Sequence, residues 1–392
     1  MSPTFAPLAL ARWLFVAVMV ALLFSPPLTS LLEAALFLLM LGSAELRARL
    51  LRTVRQPLAA MALAFWGVTA LGLAYSVAPW QEAFGIWLGW HRLLLVPVGV
   101  ALFDATAWKE RLAWVLVLVT TLCALASYLG VALGLHFYRY EVGIVIRNYA
   151  TQGMLFAVAA FAAVLLLAHG THLARGRRWL LGAAAALLSV NLVFVTPGRS
   201  GYAVFAVLAV ALLISWLGRR QASPVRRIAL GVGGVVLVAA VLGSSPLVRQ
   251  RMAQGWAEVQ DPAETSMGLR VVYWRNTLDL VAEQPWFGYG TGGFEVAYTR
   301  EVAGRPGLDG RPIHDPHNQF LKILVEHGVP GLLVFLGFLA AALRQRCSPP
   351  YRLLGLGVLA AWCVTSLFSS HFSTFAEGRF IALWLGAMLA RD

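Results

Sequence analysis

Five consecutive residues, His314-Asp315-Pro316-His317-Asn318, form the densest group of side chains able to do chemistry. Two imidazoles and a carboxylate this close together could ligate a metal ion, but Pro316 restricts the backbone and the sequence shows no second cluster of ligands. His317 could instead act as a general base, because imidazole titrates near neutral pH and can accept a proton from a hydroxyl. Alternatively, the segment only starts a helix, with Asn318 as its N-cap. We predict no metal site.

Arg199 lies in a short turn, Thr196-Pro197-Gly198-Arg199-Ser200-Gly201, between two apolar runs. Its glycines allow the backbone to approach a ligand, and the following helix would offer unpaired N–H groups to an anion. Arg199 could equally be an interface arginine that reaches lipid headgroups. Arg147 lies beside Asn148, just before the apolar run near residues 149–169, and allows the same two interpretations. Both arginines are candidate anion-binding residues.

Arg270 and Trp274 are four residues apart in a segment with helical periodicity. Residues at this spacing share a helix face, so a guanidinium and an indole could line one groove. The alternative is a solvated amphipathic helix with Arg270 on its polar side.

Glu326 lies inside an apolar run and is followed by His327 and Gly328. A carboxylate in a membrane helix is costly enough that it is usually functional or paired. A structural partner such as an arginine is the plainest explanation for Glu326.

The composition of the whole chain explains the setting of these residues. Its 392 residues are 59% hydrophobic and 12% charged, against roughly 45–50% and about 25% in soluble domains, and the mean hydropathy is +0.73. A soluble globular protein is excluded. The net charge of +13 is spread in short clusters between apolar segments, which indicates membrane topology rather than nucleic-acid binding. The three cysteines suggest neither a disulfide framework nor a zinc site.

Apolar stretches of membrane-spanning length recur along the chain, since a spanning helix needs about 20 apolar residues. We predict twelve spans, near residues 8–25, 28–42, 57–75, 82–103, 112–135, 149–169, 179–195, 201–217, 228–244, 319–343, 353–368 and 378–390. This gives three regions: spans 1–9 in residues 1–244, a loop in 245–318, and spans 10–12 in 319–392.

The distribution of lysine and arginine predicts the orientation of these spans, because cytoplasmic loops are enriched in both. Alternate short loops hold sixteen basic residues, and the loops between them hold four: Arg139, Arg147, Arg199 and Arg379. Both termini are therefore expected in the cytoplasm, and loop 245–318 outside. The basic set is Arg47, Arg49, Arg52, Arg55, Lys109, Arg111, Arg175, Arg177, Arg178, Arg219, Arg220, Arg226, Arg227, Arg344, Arg346 and Arg352.

The long loop has the composition of a soluble insert, with seven arginines and nine acidic residues. Its patterns predict two amphipathic helices, over residues 246–260 and 266–284. The apolar face of the second is expected to hold Met267, Val271, Trp274, Leu278 and Val281. Pro285 ends this helix, and Gly288, Gly290, Gly292 and Gly293 follow as flexible backbone.

Taken together, these motifs resemble the O-antigen ligase (WaaL) family of the Wzy_C-type polysaccharide ligase and polymerase superfamily. The resembling segments are Thr196-Pro197-Gly198-Arg199-Ser200-Gly201, Arg270 with Trp274, Pro285-Trp286-Phe287-Gly288-Tyr289-Gly290 to Phe294, and His317-Asn318-Gln319-Phe320-Leu321 through Glu326 and Gly328 to Gly331.

The resemblance implies an all-α, GT-C-like glycosyltransferase of the bacterial inner membrane, active on the periplasmic side. It would move O-antigen from undecaprenyl diphosphate to a sugar hydroxyl of lipid A-core. The reaction would use no nucleotide sugar and need no cofactor or metal. By the same resemblance Arg199 and Arg270 bind the diphosphate, Arg147 matches more loosely, and His317 is catalytic. Trp274, Asn318 and Glu326 would support them. We expect a monomer whose partners are donor, acceptor and membrane lipid.

Other functions fit parts of the pattern. An O-antigen polymerase or a protein O-oligosaccharyltransferase shares the motifs. A secondary transporter should show internal repeats and broken helices that carry ionisable groups at the bilayer midplane, whereas the unusual polar residues here gather at the outer boundary and in the loop. A scaffold in a glycan-assembly complex would not depend on Arg270 or His317 for transfer.

Overall fold

The computed structural model describes residues 6–137, 141–170, 173–218, 223–260 and 266–392, and within them it contains α-helices, short 3-10 turns and no β-strand. Arg139, Arg219 and Arg220 lie outside the described residues. The predicted all-α class is confirmed. The helices are Pro7–Phe24 (α1), Pro26–Gly42 (α2), Ala44–Thr53 (α3), Pro57–Leu71 (α4), Trp80–Gly89 (α5), Leu95–Leu102 (α6), Thr106–Leu133 (α7), Tyr149–His169 (α8), Arg175–Phe194 (α9), Arg199–Gly218 (α10), Pro224–Ser244 (α11), Pro246–Gln260 (α12), Ser266–Glu283 (α13), Phe294–Glu301 (α14), Gln319–Leu343 (α15), Tyr351–Thr365 (α16) and Phe375–Met388 (α17).

Helices occur at all twelve places where spans are predicted. Among the described residues, nine helical segments are long and apolar enough to cross a membrane, or ten if α2 and α3, which meet at a 96° bend, form one span. Helices α2, α16 and α17 have 17, 15 and 14 residues, below the usual spanning length. The chain thus has the helices of a multi-pass membrane protein, and the count of twelve stays a prediction.

The bundle is built around α8, with 83% of its most apolar stretch buried. Helix α8 packs closely against α10, where a Cβ added to Gly201 would lie 2.8 Å from the Cα of Gly153. Small residues at such crossings let two helix backbones pack tightly in a membrane. One glycine of the Arg199 turn therefore has a packing role.

Several ion pairs lie at one end of the bundle and connect the helices there. Arg12 and Arg49 each lie 2.7 Å from a carboxylate oxygen of Asp104, and Lys109 pairs with Asp392. The beginnings of α1 and α7, the α3 segment and the C-terminus are therefore at the same end. Arg49 and Lys109 belong to the set predicted to face the cytoplasm, so the structure brings part of this set together with the C-terminus.

Helices α12 and α13 occur where the loop composition predicts them, but the apolar face expected for α13 is covered only in part, at the half-buried Trp274 and Val281. Val271 and Leu278 are 59% and 51% exposed, whereas Tyr273 and Leu280 are buried. These two pack with α14 and with Val325 of α15 in a small cluster separate from the main core. Helical periodicity gave the spacing of apolar residues, but the position of α14 decided which of them are covered.

Candidate functional site

The backbone of His317 is held in an unusual conformation. Its φ is +55°, and Arg147, at +47°, is the other non-glycine residue with positive φ in the described part of the chain. Such conformations cost free energy and tend to cluster at functional sites. Asp315 supports this one, because its Oδ1 accepts the His317 backbone N–H at 2.7 Å.

Asp315 anchors the turn on both sides. The Ser370 hydroxyl donates to Oδ1 at 2.7 Å, and Lys322 Nζ donates to Oδ2 at 3.1 Å. Burial works to raise the pKa of Asp315, but the charge of Lys322 and the hydrogen bonds from Ser370 and His317 together hold it below its ordinary value. Asp315 is therefore a fixed carboxylate, and its role here is to shape the turn.

The imidazole of His317 remains accessible and neutral. The residue is exposed, and its ring stacks on Tyr273 at 6.4 Å between centroids. Partial burial lowers the pKa of His317, the charges of Arg270 and Lys322 lower it further, and Asp315 acts in the opposite direction without cancelling them. A neutral imidazole at pH 7 can accept a proton.

Arg270 and Trp274 of α13 lie beside this histidine. The Trp274 indole N–H donates to the Pro316 carbonyl at 3.0 Å, and its ring packs against Phe368 at 6.0 Å between centroids. Arg270 is close enough to His317 for its charge to act on the imidazole. The structure thus brings Arg270, Trp274 and His317 together.

Asn318 caps α15. Its side-chain oxygen accepts the backbone N–H groups of Phe320 at 3.0 Å and Leu321 at 3.1 Å, which satisfies two donors at the helix start. The structural interpretation accounts for this residue. His314 pairs with Glu295 of α14 at 2.6 Å, and no group of three or more His, Cys, Asp or Glu residues that could hold a metal occurs in the described ranges.

Helix α15 is broken at Gly328, where φ is +63° and ψ is −169°, a feature that the sequence analysis did not predict. The glycine-rich segment after α13 fills the break. Tyr289 N–H donates to the Val325 carbonyl at 2.9 Å, and Gly290 N–H to the Glu326 carbonyl at 2.8 Å. A Cβ on Gly328 would lie 2.2 Å from the Trp286 carbonyl oxygen. The glycines predicted to give flexible backbone instead allow two backbone segments to touch.

Glu326 is 2% exposed and is held by this same segment. Its carboxylate accepts the backbone N–H of Gly292, and Lys322 and Asp315 act on it electrostatically. Glu326 thus has compensating partners, as expected, but they are a lysine one turn earlier and a backbone amide rather than an arginine. This environment favours a structural role for Glu326.

The turns that carry Arg147 and Arg199 lie next to each other. A Cβ added to Gly198 would be 2.9 Å from the Tyr149 carbonyl oxygen, two residues after Arg147. Gln152 ties the two turns together, because its Nε2 donates to the Thr196 hydroxyl at 3.2 Å and its Oε1 accepts the Val145 N–H at 2.7 Å.

A polar segment between α16 and α17, residues 366–374, joins these turns to the His317 group. Ser370 reaches Asp315, and Ser373 donates both its backbone N–H and its hydroxyl to Gln319 Oε1, at 3.0 and 2.9 Å. Phe375 directly follows this segment, and the guanidinium of Arg147 lies over its ring, 5.1 Å from the ring centroid. This segment was not among the predicted site residues, although its serines and its histidine between two apolar runs were a visible signal.

The sequence analysis also missed a buried group of charges behind Phe375. Arg379, counted as an outer-loop cation, instead lies in α17, is 4% exposed, and donates to both carboxylate oxygens of Glu33 at 2.9 and 3.1 Å. Its guanidinium lies 4.0 Å from the Phe375 ring centroid. Arg92 interacts electrostatically with Arg379, Glu33 and Glu377. Arg379 is therefore a member of a buried ion pair in α17.

Comparison with known proteins bears on the same region. A search of curated proteins finds no match. The family model of the O-antigen ligases, Wzy_C, matches residues 184–336. The matched part contains Arg199, Arg270, Trp274, His317 and Glu326 and ends before the polar segment 366–374. Residues 184–336 are thus similar to the O-antigen ligase family, and the resemblance seen in the sequence motifs is confirmed.

Proposed function

We propose that this protein transfers a polysaccharide from undecaprenyl diphosphate to a sugar hydroxyl of lipid A-core on the outer side of the inner membrane, in a GT-C-like helical framework. The similarity of residues 184–336 to O-antigen ligases supports an enzyme of the ligase and polymerase superfamily. The observation that carries the proposal is the geometry at His317: a neutral, accessible imidazole on a fixed turn, beside the positive charge of Arg270.

The proposed reaction is a single displacement at the anomeric carbon. His317 removes the proton of the acceptor hydroxyl while the oxygen of that hydroxyl attacks the anomeric carbon. The bond to the diphosphate oxygen breaks, and undecaprenyl diphosphate departs with the electron pair. Arg270 and Arg199, with Arg147, stabilise the growing negative charge, because fixed guanidinium groups bind phosphate oxygens in pairs. This displacement would invert the anomeric configuration.

Replacing His317 by alanine tests the proposed base. The assay is glycan transfer between purified lipid-linked donor and lipid A-core, run with EDTA. We expect His317→Ala to lower the rate by about 10²–10⁴-fold, the contribution typical of general base catalysis. His314→Ala is the matched control, because His314 is 85% exposed and pairs with Glu295 instead. Near-normal transfer by His317→Ala would show that His317 is not the general base. Activity that needs an added divalent ion would contradict the metal-independent mechanism.

The superfamily match also supports a polymerase, which uses the same donor but extends another lipid-linked repeat. The two functions differ in their acceptor, so the same assay with lipid A-core and with lipid-linked repeats separates them. In cells, loss of a ligase leaves finished polymer on its lipid carrier, whereas loss of a polymerase leaves single repeats. The second phenotype would assign polymerase activity.

A further inference from the structure

A groove of about 640 Å³ opens at the opposite end of the helices from His317, between α1, α7 and α9. Its volume is within the usual range for small-molecule sites. Along α7 it runs from Ala107 to Thr121, which is about 21 Å at 1.5 Å per residue. That length corresponds to a headgroup region and one leaflet of a bilayer whose apolar core is about 30 Å thick.

The two ends of this groove differ in chemistry. Arg111 and Arg177 line it near the starts of α7 and α9, together with Trp13 and Glu110. Deeper in the groove the walls are apolar, with Leu118 on α7 and Leu181 on α9. A cationic, tryptophan-lined mouth above an apolar channel matches the headgroup and acyl chain of a lipid.

The two arginines of the groove mouth differ from three paired cations at the same end of the bundle. Arg12, Arg49 and Lys109 are paired with Asp104 or Asp392. In the described parts of the chain, Arg111 and Arg177 have no carboxylate within ion-pair distance. The guanidinium of Arg111 lies 4.6 Å from the Trp108 ring centroid, a contact that holds the side chain without neutralising its charge. The groove mouth also holds one carboxylate, Glu110, so two guanidinium groups against one carboxylate leave it with a net positive charge.

We propose that this groove binds an anionic phospholipid, with its phosphate between Arg111 and Arg177 and an acyl chain along Leu118 and Leu181. Both arginines belong to the loops with the cytoplasmic charge bias, so the lipid comes from the leaflet opposite to the proposed reaction. Basic pockets between membrane helices on this side bind anionic headgroups. The site does not depend on the proposed function.

The test measures lipid binding to the purified full-length chain by native mass spectrometry, with phosphatidylglycerol and with phosphatidylcholine of the same acyl chains. We expect the wild type to prefer phosphatidylglycerol. The double variant Arg111→Gln/Arg177→Gln should bind it about 30-fold more weakly, the loss expected for two arginine contacts at a membrane surface. Arg52→Gln/Arg175→Gln is the matched control, because it removes equal charge from basic loops outside the groove.

A second variant tests the acyl channel with both arginines in place. Leu118 is 58% exposed, so Leu118→Trp can fill the channel without disturbing the core, and it should weaken binding of phosphatidylglycerol while leaving the chain folded. Equal binding of both lipids by the wild type would overturn the proposal. Unchanged binding by either groove variant would do the same, as would recovery of a polyprenyl phosphate, rather than a phospholipid, from the groove.

Discussion

Glu33 should stabilise the fold far more than an ordinary ion pair, because it compensates buried cations. Its carboxylate contacts Arg379 at 2.9 and 3.1 Å and His91 at 3.1 Å, and Glu33 and Arg379 are 2% and 4% exposed. Arg92 is also buried and within the field of Glu33. In Glu33→Gln, Arg379 loses its carboxylate partner, and Arg92 retains the electrostatic interaction with Glu377.

The expected cost follows from this burial. Removing one partner of a buried ion pair leaves an uncompensated charge in a medium of low dielectric and costs about 3–5 kcal/mol. Glu33→Gln and Arg379→Met should each lower the free energy of unfolding by about this amount. The double variant restores the charge balance, so it should recover most of the loss, since replacing a whole buried pair is often neutral.

The assay is unfolding by SDS titration in mixed micelles, followed by circular dichroism, with the four proteins forming a double-mutant cycle. Arg275→Gln is the control: its pair with Asp309 has the same kind of contact, at 2.7 Å, but the side chains are 58% and 42% exposed. A screened surface pair contributes about 0–1 kcal/mol. The reasoning fails if Glu33→Gln costs no more than the control, or if the double variant is no more stable than the single ones.

Two further predictions concern the loop and the base. Gly328→Ala should lower the free energy of unfolding more than Gly304→Ala, measured by the same titration. Both glycines have positive φ, but a Cβ on Gly304 meets open space, whereas one on Gly328 would lie 2.2 Å from a carbonyl oxygen; equal losses would contradict the close contact. Because the lowered pKa keeps His317 neutral to lower pH, the rate should fall only when pH drops through that pKa. Arg270→Gln removes a charge that lowers the pKa of His317, so the acidic limb of the kcat/KM profile should move to higher pH. An acidic limb at unchanged pH would show that Arg270 does not act on the pKa of the general base.

Much of the site was visible in the sequence because it is local. The pentapeptide from His314 to Asn318, the N-cap and the four-residue spacing of Arg270 and Trp274 all lie within a few residues of chain. What the sequence misassigned was contact over long separations. The carboxylate that Arg379 meets is 346 residues away, so its position in the chain suggested an outer loop and gave no sign of the pair.

Glu326 illustrates the same limit. Its cost in a membrane helix was evident from its apolar surroundings, and a compensating partner was expected for that reason. Which partner it has depended on the glycine-rich segment entering the break in α15, where Gly292 offers a backbone amide. Pro330, two residues after Gly328, was a visible signal for a break in α15, but nothing local indicated which segment would fill it.

The sequence by itself determined that the chain is helical, that most of it is built for lipid, and which short segments carry arginine and histidine. These properties follow from the transfer free energy and the backbone preferences of individual residues, which are local. Only the tertiary structure decided that segment 366–374 joins the Arg147 turn to His317, which face of α13 is covered, and how the buried charges are paired. Those outcomes depend on which helices pack together, and many packings are compatible with the same pattern of apolar stretches.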